Sequence, residues 1–219
     1  MTSMGIDCTS PRYLQIASRF GLTKKPIIGD HSKSWDILKT IKLIQSSIEQ
    51  QAPILDIGAY ASEVLCALHR LGYSNLTGVD LNRNLVHMPY AGSINYVLSD
   101  FMHLPFPDAS LEAVTAISVI EHGFQEDRLL NELSRVVKPG GLFIASVDYW
   151  PDKIDTAGIT AFGMDWRIFS RDELKAFVNR AAEFGFSPVG EMDLSASAPL
   201  ITWQGKRYTF CWFALRKRT

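Results

Sequence analysis

The chain is poor in cysteine and has no Cys-x-x-Cys pair: Cys8, Cys66 and Cys211 stand far apart among 219 residues. An odd, scattered set excludes a disulfide framework and a cysteine-based zinc site, and reads as small buried hydrophobes in a reducing compartment. No metal centre is expected. No run approaches the roughly 18 consecutive apolar residues of a membrane span, and residues 1–12 lack the apolar core of a signal peptide. The expected location is the cytoplasm. Neither sign of charge is in excess, with 22 Lys+Arg against 23 Asp+Glu, so no global field draws the chain to nucleic acid or to an anionic membrane. Also missing are a Gly-x-x-x-x-Gly-Lys loop, which excludes a P-loop triphosphate site, and a Gly-x-Gly-x-x-Gly turn, which argues against a dinucleotide.

What is present is an ordinary globular composition, 47% hydrophobic and 21% charged, long enough to bury a core without staples. There is no internal repeat and no low-complexity linker, so the chain reads as one unit: an N-terminal helical extension over 1–52 packing on a domain over 53–219. Helices are expected at 13–20 and 35–50, the second with Ile37, Ile41, Ile44 and Ile48 on one face. From Pro53 the pattern alternates. Strands are expected at 53–57, 75–80, 94–98, 111–119 and 142–147, with helices at 62–71, 82–88 and 125–137 between them. A capping box at Ser170 and Glu173 opens a further helix to about residue 184, followed by strands at 189–194 and 208–215. This alternation predicts a largely parallel sheet with helices on both faces. Residues 196–207 are too few for a crossover helix, so the last two strands should be antiparallel.

In an open sheet of this kind ligands bind beyond the carboxyl ends of the strands. After the first strand Gly58 permits close backbone approach, and the helix that follows offers free N–H groups. At the end of the second, Asp80 lies 24 residues beyond Asp56 (80 minus 56). It can accept both hydroxyls of a ribose or cap the following turn, and the two roles are compatible. After the third, Asp100 can accept from an exocyclic amine while Phe101 covers an aromatic ring; a solvated loop aspartate beside a core phenylalanine is the alternative. After the fourth stand Ser118 and His122. Together these strand ends describe a site for an adenosine carrying something other than a polyphosphate.

With those residues in place, the segments ILDIGAYAS, LTGVDLN, VLSDFMHLPFPDASLEAVTAISVIEH and LSRVVKPGGLFIAS resemble class I S-adenosylmethionine-dependent methyltransferases, in particular the small-molecule branch called methyltransferase type 11. The resemblance covers about residues 53–150. It implies a Rossmann-like α/β fold with seven strands, mostly parallel, ending in an antiparallel pair. It implies S-adenosyl-L-methionine as cofactor, with Asp56, Gly58, Ala59 and Tyr60 bordering its methionine part. Asp80 would hold the ribose, Leu81 would lie against the adenine, Asp100 and Phe101 would read the adenine edge, and Ser118 would face the ammonium through its carbonyl.

The expected reaction is methyl transfer to oxygen, nitrogen or carbon of a small-molecule acceptor, such as a sugar or natural-product scaffold. His122 is the candidate base, and Asp148, Tyr149 and Trp166 are candidate substrate contacts beside a lid over 153–169. The N-terminal helices are expected to close the other side, where Tyr13, Arg19 and Trp35 could reach the cofactor or substrate. The only basic cluster, Lys206, Arg207, Arg216, Lys217 and Arg218, reads as a solvated sheet edge, so no nucleic acid or membrane partner is expected; a homodimer stays open. Tyr60 and Ser62 stand where the family usually has glycines. That departure keeps a second reading, a methyltransferase-like binding or scaffold protein that has lost turnover.

Overall fold

The computed structural model describes residues 34–219. The expected helix at 13–20, with Tyr13 and Arg19, lies outside the described residues. The elements in chain order are α1 (Ser34–Ser47), β1 (Ile54–Ile57), α2 (Val64–Arg70), β2 (Leu76–Asp80), a 3-10 turn (Arg83–His87), β3 (Asn95–Leu98), β4 (Leu111–Ile117), α3 (Glu126–Val136) and β5 (Val137–Tyr149). There follow β6 (Thr160–Ala161), β7 (Met164–Asp165), α4 (Arg171–Glu183), β8 (Phe186–Pro188), β9 (Ile201–Trp203) and β10 (Lys206–Lys217).

The main sheet runs β3-β2-β1-β4-β5-β10-β8, with β9 paired to β10 alone. β3, β2, β1, β4 and β5 are parallel to one another; β10 is antiparallel to both β5 and β8. Side chains alternate across it, as a period of two demands. Leu55, Ile57, Val114, Phe143 and Ala145 face α3 and α4, packing with Leu129, Leu133, Leu174 and Phe177. Ile54, Ala113, Leu142, Ile144 and Trp212 face α1 and α2, packing with Ile41, Ile44, Leu65 and Leu68. The capping box at Ser170 forms as expected, with the Glu173 N–H donating to its hydroxyl and the Glu173 carboxylate accepting from the Ser170 N–H. Among the described residues no helix is long and apolar enough to cross a membrane.

Three expectations need correction. The strand expected at 189–194 lies at Phe186–Pro188 instead. Its pairing with β10 reaches only to the Val189 N–H on the Ala214 carbonyl, because Gly190 at φ 78° turns the chain out of the sheet. The fifth strand is longer than expected and starts before the glycines, with a register shift against β4 between Leu111 and Ala113. The basic cluster is not merely a solvated edge. Lys217 Nζ donates to the carbonyls of Ser134 and Val137, Arg218 to that of Ala182 and Arg216 to that of Gly140. Lys217 and Arg218 thus close the carbonyl ends of α3 and α4, where a cation is favoured.

The LPFPD segment after β3 is clamped from α3. Its prolines remove donors, and its carbonyls and one amide are taken up by two side chains. Glu132 accepts from the Leu104 N–H at 2.5 Å, while Arg135 donates to the carbonyls of Leu104 and Phe106 at 2.9 and 2.6 Å and to Asp108 at 2.9 Å. The hydrogen bond from Arg135 holds the Glu132 carboxyl below the usual carboxylate range.

Candidate functional site

Register brings five strand ends to one edge: Ile57 pairs with Val79, Asp80 with Leu98, Asp56 with Thr115, and Ile117 with Ser146. A pocket of about 670 Å3 opens there. One side is formed by Gly58, Tyr60, Asp80, Leu81 and Phe101, the other by Ser118, Val119, His122, Phe162 and Met164, with Ile37 of α1 also on the wall.

The loop after β1 crosses this edge at close quarters. Gly58 has φ 70°, and a Cβ there would stand 2.2 Å from Val119 Cγ2; only glycine fits. Ala61 also lies in the left-handed region, at φ 62°. Two carboxylates fix the loop. Asp80 accepts from the Tyr60 N–H at 2.9 Å and from the Asn82 N–H at 2.8 Å. Each carboxylate oxygen has a second lone-pair site, so the group can still accept from a ligand. Asp56 is buried beneath the loop and accepts from the hydroxyls of Ser62 at 2.6 Å and Thr115 at 2.5 Å. Burial pushes its carboxyl up to about 6, against the two hydroxyl bonds, and the nearby Asp80 charge adds to the rise.

Seven of the expected residues therefore meet on the pocket wall: Gly58, Tyr60, Asp80, Leu81, Phe101, Ser118 and His122. Tyr60 and Leu81 are 41% and 56% exposed. Ser118 is a non-glycine residue at φ 54°, and its hydroxyl oxygen is buried without a partner among the described residues.

Others lie elsewhere. Asp56 and Ala59 sit under the wall, the Ala59 N–H tied to the Val79 carbonyl. Asp100 is exposed and accepts from the Met102 N–H at 2.9 Å, closing its own turn. The three candidate substrate contacts are not brought to the pocket. Tyr149 is fully buried, and its hydroxyl donates to the Leu194 carbonyl at 2.5 Å. Burial pushes that phenol up to about 12, out of reach of acid–base duty near neutrality. Trp166 is buried, packs edge-on against Trp203 and Tyr208, and donates from its indole N–H to Asp148 at 2.8 Å. Trp35 is buried with Lys39 over its ring and is not on the wall either.

Sequence reasoning missed Ile37, Val119 and Met164. Ile37 reaches the pocket because α1 is pinned to the sheet: the buried Asp36 carboxylate accepts from Ser146 of β5 at 2.7 Å, and Trp212 of β10 donates to Thr40 at 3.0 Å. The helical spacing of Ile37 marked it only as core.

Residues 55–145 match the family model of a methyltransferase domain. That stretch is similar to the S-adenosylmethionine-dependent methyltransferase domains of this family. The chain is 28% identical over 157 residues to the cycloartenol-C-24-methyltransferase of Arabidopsis thaliana, a match spanning 68% of the chain and 45% of that protein. The chain thus spans less than half the length of that relative. In fold, the chain is similar to a solved SAM-dependent methyltransferase of Methanosarcina mazei, with TM-score 0.61 at 16% identity, covering 80% of this chain and 97% of the other. It is equally similar to the [4+2]-cyclase SpnF, with TM-score 0.63 at 16% identity over 90% and 85% of the two chains.

Proposed function

We infer that this methyltransferase domain transfers the sulfonium methyl of S-adenosylmethionine to a small-molecule acceptor. The observation that carries the reading is the Asp80 carboxylate, oriented by two backbone N–H groups at a pocket edge that also holds Gly58, Leu81 and Phe101. These residues suit an adenosine with an amino-acid tail. Asp80 would accept from the ribose, Leu81 and Phe101 would flank the base, Gly58 would let the backbone approach the tail, and Ser118 would give it a polar contact. When bound, S-adenosylmethionine supplies an electrophilic methyl group. The chain's own work is to align a nucleophile with that methyl and to exclude water. His122, on the same wall, would take a proton from a hydroxyl acceptor.

Calorimetry with S-adenosylhomocysteine tests the reading. Asp80→Ala should weaken binding by about 1.5–3 kcal/mol, the range for hydrogen bonds to a charged group; unchanged affinity overturns the ribose assignment. His122→Ala should cut turnover by more than about tenfold if His122 is the base.

A second reading has its own support. The amides at the middle of the first loop are engaged within the protein: Tyr60 with Asp80, Ala61 with the Met88 sulfur and Ser62 with the Ala59 carbonyl. A loop so satisfied fits a methyltransferase-like binding protein without turnover. Absence of any heat with S-adenosylhomocysteine would favour that reading.

A further inference from the structure

The β6–β7 hairpin carries a residue that its turn disfavours. The pairs Thr160–Asp165 and Ala161–Met164 leave Phe162 and Gly163 as a two-residue turn, with φ of 54° and 79°. Two successive positive φ values suit Asn-Gly or Gly-Gly, and a bulky aromatic at the first position is a steric outlier. Phe162 is also 84% exposed, more than any other large hydrophobic among the described residues. The position is thus unfavourable twice, in backbone conformation and in hydration, and asparagine would relieve both.

The hairpin does not need this ring to stay in place. Its base is laced to the segment after β4 by the Gly123 N–H on the Asp165 carbonyl at 2.8 Å and the Arg167 N–H on the Glu121 carbonyl at 2.9 Å. Trp166 anchors it in the core through Asp148. Local strain of this kind collects where a ligand uses it. The Phe162 ring lies edge-on to His122, 5.2 Å between centroids, and lines the pocket together with Ile37 and Met164.

We propose that Phe162, with Ile37 and Met164, forms an apolar acceptor subsite, and that the acceptor is hydrophobic, presenting an alkyl chain or hydrocarbon ring to these three side chains. The proposal deepens the methyl-transfer reading and rests on it for the identity of the reaction. A bare sugar would leave hydroxyls desolvated against three groups that cannot replace their water. An alkyl portion would instead cover the exposed ring.

The full chain is titrated by calorimetry with para-alkylphenols from ethyl to octyl, and with methyl glucoside as the polar counterpart, in the presence and absence of S-adenosylhomocysteine. Affinity is expected to tighten by up to about fourfold per added methylene, while methyl glucoside gives no heat. Phe162→Asn is expected to remove most of that gain, with a Tm at or above that of the wild type and S-adenosylhomocysteine affinity within twofold. Phe162→Leu, which stays apolar, should keep most of it. A Phe162→Asn variant with the wild-type dependence on chain length overturns the proposal, as does methyl glucoside binding as tightly as the octyl compound. Failure of the wild type to bind S-adenosylhomocysteine overturns the methyl-donor reading instead, and the alkylphenol series without it still decides the subsite.

Discussion

Asp80 and Asp148 occupy related places, at or near the carboxyl ends of β2 and β5 in one parallel array. Asp80 keeps a pocket in front of it: its partners are two backbone amides of flanking loops, and Tyr60 and Leu81 leave the approach open. Asp148 has the indole of Trp166 across it and the wall of Trp203 and Tyr208 behind that indole. The difference comes from chain laid down later. β10 runs antiparallel along β5, with Thr209 opposite Tyr149 and Phe210 opposite Asp148, and β9 folds onto it. The β5 side of the edge is built as core, so a strand end becomes a site only where no following segment covers it.

The strongest way to break this contrast is Trp166→Ala. It should cost about 3–5 kcal/mol of stability, as removal of a buried tryptophan does, measured by denaturant unfolding. S-adenosylhomocysteine affinity of the folded fraction should be unchanged; a large loss would place Trp166 in the site.

Next in size is a pH effect at Asp56. Its native carboxyl titrates at about 6, above the ordinary unfolded value of about 3.9. The native state therefore holds the extra proton between those limits, and stability falls as pH rises from about 4 through 6. The full cost, above that window, is on the order of 2–3 kcal/mol. Asp56→Asn removes this ionisation, so its stability relative to wild type should climb from pH 4.5 to pH 7; a flat difference across that range contradicts the buried-carboxyl assignment. The smallest effect is Ser62→Ala, which deletes one bond to Asp56. Thermal unfolding should show a loss of about 1 kcal/mol, and S-adenosylhomocysteine binding should weaken only a few-fold.

The two sides of the edge also differed in how far they could be read beforehand. Gly58 and Asp80 were legible because a backbone constraint and a strand end are local facts, visible in a short apolar run and the residue that stops it. The alternation of strands and helices from β1 to β5, and the antiparallel run of β10 beside it, followed from spacing, whereas the short strands β6, β7 and β9 and the place of β8 did not. The substrate side depended on contacts distant in sequence. Whether Tyr149 faces a ligand or the core is decided by Leu194, which takes its hydroxyl, and whether Ile37 is plain core or pocket wall is decided by Asp36 gripping Ser146 of β5. No periodicity carries that information. The exposed Phe162 was named as part of a lid, but its backbone strain and its pairing with His122 needed coordinates.

The position of β10 has a consequence for how the molecule is made. Among the described residues β8 finds its only sheet partner in β10, and β5 its second. Until β10 has been made and docked, β5 presents a raw edge that could template association with another chain. Synthesis must run through Lys217 before the sheet is sealed, so the slowest-arriving strand is also the one that the sheet's interior waits for.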